Sequence, residues 1–308
     1  MKLCILYTLG FLGCQIAMAA DPPTGNATIR GKAGASEIVI TTTTRLAGAI
    51  HSVTWGGREF IDSADHGRQL QSACSFDCGR PGFHAECFNP TEAGSRKDGA
   101  GAASTSRLLK LVADKNHLET TTRMAFWLNP GEKSAGQPAK NEKVLSDHVV
   151  SKNVTIGVGK WPHAIDYRVA FTVPKGERHT FAQFEALTGY MPPAFADFFT
   201  LDVATGKLSP LNDGPGEQSK PVVFSTKDGK YAMGAWSPDQ PSKGYAAAGY
   251  GRFRFAAEKV VKWNCVFRVR DARGILAGEY SYRVIVAVGT KADVAKTLSG
   301  LAAESGAK

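Results

Sequence analysis

Between residues 55 and 99 the chain gathers side chains suited to acid–base work on a sugar. Asp65, His66, Arg68, Gln69 and Gln71 stand close together in a glycine-punctuated stretch, and Glu86, Asn89 and Glu92 follow. Cleaving a glycosidic bond needs a proton donor and a proton acceptor beside the reacting atoms, with a cation where a carboxylate must be neutralised. His66, Glu86 and Glu92 can fill the first two roles. Arg68 can clamp an anion through its planar fork. Gln69, Gln71 and Asn89 are neutral hydrogen-bonders that read hydroxyls, and Asp65 and Glu92 add carboxylates to the substrate-binding set. The competing reading is structural: Asp65 pairs with Arg68, Asn89 turns the chain before Pro90, and His66 is a satisfied buried group.

A second constellation runs Phe184-Glu185-Ala-Leu-Thr188-Gly189-Tyr190-Met191-Pro192-Pro193. A carboxylate on a strand with a phenol nearby supplies a base and an acid, so Glu185 and Tyr190 join His66 and Glu86 as catalytic candidates. The alternating segment Lys262-Trp263-Asn264-Cys265 offers Trp263 as a platform for a sugar ring, although core packing is the commoner fate of a strand tryptophan. No G-x-S-x-G elbow, H-E-x-x-H pair or P-loop is present.

These side chains need elements to hold them. Alternation dominates: Leu118, Met124, Phe126 and Leu128 share one side of a segment, as do Ile165, Tyr167, Val169, Phe171 and Val173, and Tyr282, Val284, Val286 and Val288. Period-two stripes bounded by Gly, Pro and Asp predict half-buried antiparallel strands. Further strands are expected at 36–42, 49–55, 107–112, 145–157, 180–187, 220–225, 231–236, 250–255 and 260–269. One helix is expected near the C-terminus, capped by Thr290 with Asp293 three residues on and with Val294, Leu298 and Leu301 on one face. Many strands without βαβ alternation predict an all-β fold, a large two-sheet antiparallel sandwich with a short C-terminal helix. Residues 129–143 read as a polar surface excursion.

The chain has 308 residues with a net charge of +9, 43% hydrophobic and 21% charged residues, an ordinary globular composition. Residues 1–20, MKLCILYTLGFLGCQIAMAA, have the basic start, apolar run and Ala-Met-Ala exit of a secretory signal peptide. A secreted or periplasmic mature chain is therefore expected, with 21–308 as a single domain and no stable membrane insertion. The positive charge is spread without basic blocks, which speaks against nucleic-acid binding and allows an acidic glycan. After cleavage four cysteines remain, Cys74, Cys78, Cys87 and Cys265, and an oxidising compartment predicts disulfides among them. Their spacing lacks the paired knuckles of a zinc site, so neither metal nor other cofactor is expected.

Gly48-Ala-Ile-His-Ser-Val-Thr-Trp55-Gly-Gly-Arg-Glu-Phe60 looks like the opening hairpin of the galactose-mutarotase-like β-supersandwich proteins, and the segments Glu185 to Tyr190, Pro221 to Trp236 and Gly251 to Phe267 fit the same strand-rich body. The chain resembles that superfamily, which includes aldose epimerases and the sandwich domains of glycoside hydrolases and polysaccharide lyases. The resemblance implies a supersandwich acting on a saccharide, with Glu185 as a carboxylate base by analogy. The paired histidines of the epimerases have no counterpart among these motifs, which favours a lyase or a glycoside hydrolase working in a cleft rimmed by residues 65–94. The alternatives are a non-catalytic carbohydrate-binding protein and a structural or partner-binding envelope protein.

Overall fold

The computed structural model describes residues 23–79, 82–240 and 248–306; the expected export signal at residues 1–20 lies outside them. Backbone pairing sorts the strands into two antiparallel layers. The back sheet runs, in spatial order, Arg107–Asp114, His117–Phe126, Leu145–Val158, Trp161–Val173, Gly278–Gly289, Ala232–Trp236, Val222–Ser225, Asp197–Asp202 and Lys207–Pro210. The cleft sheet runs Ala27–Ala33, Ser36–Thr42, Ile50–Trp55, Leu70–Phe76, Phe181–Met191, Val260–Arg270, Tyr250–Phe255 and Gly216–Gln218. The two-residue strand Pro90–Thr91 pairs with Leu70–Phe76 and with His117–Phe126, stitching the layers together. The fold is the large antiparallel sandwich that the alternating stripes predict.

Aromatic rings from both layers interdigitate in the core. Phe184 of the cleft sheet lies 5.2 Å from Phe171 and 4.9 Å from Tyr280 of the back sheet, and Phe267 stacks on Tyr282 at 4.1 Å. Each such ring, once buried, contributes roughly 1.5–3 kcal/mol. The helix Lys291–Glu304 covers the other face of the back sheet, where Val294, Leu298 and Leu301 pack on Ala164, Val223, Ile285 and Ala287. Its start is closed by the expected capping box, with the Thr290 hydroxyl accepting from the Asp293 backbone N–H at 3.1 Å.

Two expectations need correction. Residues 65–94, expected to rim the cleft, are not a loop throughout, because Leu70–Phe76 is a strand of the cleft sheet with all its residues buried. Its sequence Leu-Gln-Ser-Ala-Cys-Ser-Phe does alternate, but small and polar residues mask the stripe. The disulfides are also absent: no two of Cys74, Cys78, Cys87 and Cys265 come within bonding distance. Cys74 is registered with Phe184 and Cys265 with Leu187, on strands flanking Phe181–Met191. Two strand spacings, about 9–10 Å, separate them, beyond the reach of a disulfide. Burial instead pushes the Cys74 thiol well above its ordinary pKa.

Candidate active site

The cleft sheet turns one face away from the core and into a cavity of ≈ 300 Å³. Leu70–Phe76 contributes Gln71, Ala73 and Ser75 to it, and Val260–Arg270 contributes Lys262 and Asn264. Phe181–Met191 contributes Gln183, Glu185, Thr188 and Tyr190. Trp127, Phe253, Glu86, Asn89, Thr91 and Glu217 complete the wall. Neutral hydrogen-bonders, the flanking aromatics Trp127 and Phe253, the carboxylates Glu86, Glu185 and Glu217 and the Lys262 ammonium make up its chemistry.

Strict alternation cannot place Glu185 and Tyr190 on one face, since one position is odd and the other even. A β-bulge resolves this. Against Val260–Arg270 the register runs Tyr190 to Lys262, Thr188 to Asn264 and Leu187 to Cys265, then skips Ala186 and resumes with Glu185 to Val266. The pairing with Leu70–Phe76 shifts at the same place, from Thr188–Gln71 to Glu185–Ala73. One extra residue thus reverses the pleat, and Gln183 and Glu185 join Thr188 and Tyr190 in the cleft. Gly189 lies between them on the core side, where an added Cβ would come within 2.5 Å of the Trp263 indole.

Lys262 organises the charges. Its Nζ reaches Glu185 Oε2 at 3.4 Å and stands 5.1 Å from the Tyr190 ring centroid and 5.4 Å from that of Phe253. The Thr188 hydroxyl donates to Glu185 Oε2 at 2.6 Å. Burial works to raise the Glu185 pKa, but the Lys262 charge and the hydrogen bonds from Thr188, Lys262 and Asn264 prevail and hold it below the usual glutamate value. Burial raises the Tyr190 pKa, and the nearby ammonium does not cancel that. Burial likewise works against the Lys262 charge, yet Glu185 and Tyr190 overcome it and keep the ammonium protonated. At neutral pH the cleft therefore presents a carboxylate, a protonated phenol and a fixed cation. An ionised carboxylate and a protonated phenol are the states from which a base and an acid start.

Of the residues singled out in the sequence, Glu185, Tyr190, Glu86, Gln71 and Asn89 meet around this cavity. Gln71 is fixed by donating to the Gly67 carbonyl at 3.0 Å and accepting from the Ala93 N–H at 3.1 Å. Asn89 donates to the Cys74 carbonyl at 2.7 Å, and Glu86 accepts from the Ser134 hydroxyl at 2.6 Å. The others lie elsewhere. His66 is buried, with its ring nitrogens 2.7 and 2.8 Å from the carbonyl oxygens of Gly99 and Arg45, so it braces two loops and is not aimed at the cleft. Arg68 is claimed by Asp65 at 3.1 Å and Asp62 at 3.8 Å, the local pairing named as the structural reading. Gln69 is buried and donates to Ser63 and to the Asp65 carbonyl.

Glu92 and Trp263 are corrections of the same kind. Glu92 is wholly buried between the layers, where its carboxylate pairs with Lys152 and accepts from the Ser72 N–H at 3.1 Å. Polar substrate contact is closed to a group paired that deeply. Trp263 is fully buried in the core and packs on Gly189, so it stacks on no sugar. Its burial carries the signal that reveals Lys262 and Asn264: if Trp263 points inward, its two chain neighbours point into the cleft.

A broader depression on the back sheet carries Lys110, Arg168 and Arg283. Asp166 takes Arg283 at 2.8 Å and Arg168 at 3.2 Å, and Glu119 takes Lys110 at 2.7 Å. No helix of the described residues is long and apolar enough to cross a membrane.

No protein-family model matches the chain, and no curated protein matches it in sequence. Solved structures do resemble it. The Slr1438 protein from Synechocystis sp. PCC 6803 is 12% identical, with a TM-score of 0.44 over 92% of this chain and 100% of that one. A protein assigned as an aldose 1-epimerase from Klebsiella pneumoniae is 11% identical, with a TM-score of 0.43 over 91% of each chain. An α-mannosidase from Enterococcus faecalis is 11% identical, with a TM-score of 0.45 over 88% of this chain and 30% of its own.

Proposed function

We propose that this chain is a carbohydrate-active protein, exported from the cytoplasm, that cleaves a uronate-containing polysaccharide by β-elimination in the cleft between Trp127 and Phe253. The observation that carries the reading is the Lys262 ammonium set 3.4 Å from Glu185 and over the Tyr190 ring, in a cleft that also holds Gln71, Asn89, Gln183 and Asn264. Lys262 takes the clamping role that the sequence offered to Arg68. It neutralises the uronate carboxylate, so that charge developing on the adjacent carbon is stabilised.

Glu185 Oε removes the proton from the carbon next to the carboxylate. The electron pair forms the new carbon–carbon double bond as the bond to the leaving glycosidic oxygen breaks. The Tyr190 hydroxyl delivers a proton to that oxygen, so one sugar end leaves with a hydroxyl and the other is unsaturated. Trp127 and Phe253 offer apolar faces to pyranose rings, and Gln71, Asn89 and Asn264 offer hydrogen bonds to hydroxyls.

The test is to incubate the purified chain with uronate-containing and neutral polysaccharides and weigh the fragments. Fragments lighter by one water, with the ultraviolet absorbance of an unsaturated uronate, are expected. Water-added fragments would replace elimination by hydrolysis. Retention on immobilised glycan without product would make the cleft a binding site only, and neither product nor retention would remove the saccharide reading.

A further inference from the structure

At the end of the sandwich where the chain crosses from the back sheet into the Phe181–Met191 strand, three side chains converge. His148 comes from Leu145–Val158, and Glu177 and His179 from the connection after Trp161–Val173. We infer that His148, Glu177 and His179 form a binding site for a divalent transition-metal ion, Zn²⁺ being the ion their donors suit. One donor atom from each lies within 4.8 Å of the others, and this is the single such group found among the described residues. Glu177 Oε2 stands 2.8 Å from His179 Nε2 and 3.3 Å from His148 Nε2. In a tetrahedral zinc site with metal–ligand bonds of ~2.0–2.1 Å, neighbouring donors stand about 3.3 Å apart.

Hydrogen bonding inside the protein accounts for one contact of the arrangement, His179 Nε2 with Glu177 Oε2 at 2.8 Å, and leaves His148 without one. Both ring nitrogens of His148 and the Nδ1 of His179 are buried without a hydrogen-bond partner, the 3.3 Å approach to Glu177 being out of line for one. The His148 and His179 side chains are 1% and 2% exposed, while Glu177 is 25% exposed. An unpaired buried polar atom costs roughly 1–3 kcal/mol, and an ion held beside Glu177 would satisfy His148 Nε2, the unpaired nitrogen that faces this carboxylate. Phe76 closes one side, its ring 5.0 Å from His148 and 4.4 Å from His179. The partly exposed Glu177 leaves a way in.

The connection that carries two of the ligands is already pinned. Asp77 accepts from the Thr180 N–H at 2.9 Å, and the His179 carbonyl accepts from the Ile275 N–H at 2.7 Å. A metal here fastens the back sheet to the strand that bears Gln183 and Glu185, away from the cleft. Cysteine plays no part in it, so cysteine spacing in the sequence could not have disclosed it.

The full-length mature chain, stripped with a chelator and dialysed, is titrated with Co²⁺ as a spectroscopic probe and then with Zn²⁺. One equivalent of Co²⁺ should give visible bands of tetrahedral intensity, and Zn²⁺ should displace them. Glu177→Gln, at a partly exposed position, should keep the far-ultraviolet circular dichroism and weaken Co²⁺ affinity at least tenfold. His179→Gln should abolish the bands, and His84→Gln, outside the cluster, should leave them intact. Absence of a saturable one-equivalent spectrum, or unchanged affinity in both cluster variants, would overturn the site. The readout does not involve glycan cleavage, so it stands apart from the proposed activity.

Discussion

Lys262 and Glu185 come from neighbouring strands that a bulge has shifted, and their charged ends approach to 3.4 Å in the floor of the cleft. Each restrains the other's proton. The carboxylate keeps the ammonium charged, and the ammonium keeps the carboxylate ionised despite its burial. Tyr190, paired in register with Lys262, remains a phenol because its own burial outweighs the cation.

Tyr190→Phe and Glu185→Gln should each lower kcat on a cleaved uronate polymer by about 10²–10⁴, the usual contribution of a positioned acid or base. KM should move little for Tyr190→Phe, whereas Lys262→Met should raise KM as well. Steady-state kinetics check this. His66 and Arg68 do not reach the cavity, so a folded Arg68→Ala variant should retain its turnover. If Arg68→Ala loses turnover while Tyr190→Phe keeps it, the cleft assignment is wrong.

Pairing also makes Glu185 a source of pH-dependent stability. Its pKa in the folded chain is below the ordinary 4.5, so its ionised form favours the fold above that pH. The contribution is lost as pH falls from about 4.5 through the folded value. Urea denaturation of wild type and Glu185→Gln should show a gap at pH 7 that narrows progressively below pH 4.5. A gap that widens in acid would contradict the pairing. The Lys262 side of the linkage has the opposite sense, raised in the fold and lost only in strong alkali.

Gly189→Ala should destabilise by about 1–3 kcal/mol, the range for overpacking a closed core. The new methyl would meet the indole of Trp263 at 2.5–2.6 Å. Trp263→Phe, which removes the contacting part of that ring, should recover part of the loss in the double variant. Additive losses, measured by chemical denaturation, would show that the two positions do not touch.

Glu92→Gln or Lys152→Met alone should cost about 3–5 kcal/mol, because either leaves its partner charged and buried. The pair spans the sandwich, with Lys152 on the back sheet and Glu92 accepting from Ser72 of the cleft sheet. Replacing both with apolar residues of similar size should cost less than either single change. Thermal or urea unfolding of the three variants decides it.

Much of the fold was legible because its stripes are clean. Expected segments such as 36–42, 250–255 and 260–269 coincide with observed strands to within a residue, and Thr290 and Asp293 cap the helix as read. Leu70–Phe76 was hidden because Ser72 sits at an inward position, satisfied there by Tyr167 at 2.8 Å. In the site, Glu185, Tyr190, Glu86, Gln71 and Asn89 are legible, but Lys262 is not, since nothing in its strand says which of Lys262 and Trp263 faces the cleft. His66, Arg68, Glu92 and Trp263 illustrate a general ambiguity. A charged or aromatic residue has the same letter whether its partner is a substrate or another part of the chain, and only tertiary contact separates the cases.

The bulge at Ala186 makes the cleft a matter of counting. Delete one residue there and the strand loses no side chain with chemistry, yet Gln183 and Glu185 rotate into an aromatic core while Phe184 emerges into the cleft. Identity would be nearly perfect and the Lys262–Glu185 pairing gone. For this strand the unit of inheritance is parity, and a single-residue gap in a relative at this point would say more than a dozen substitutions around it.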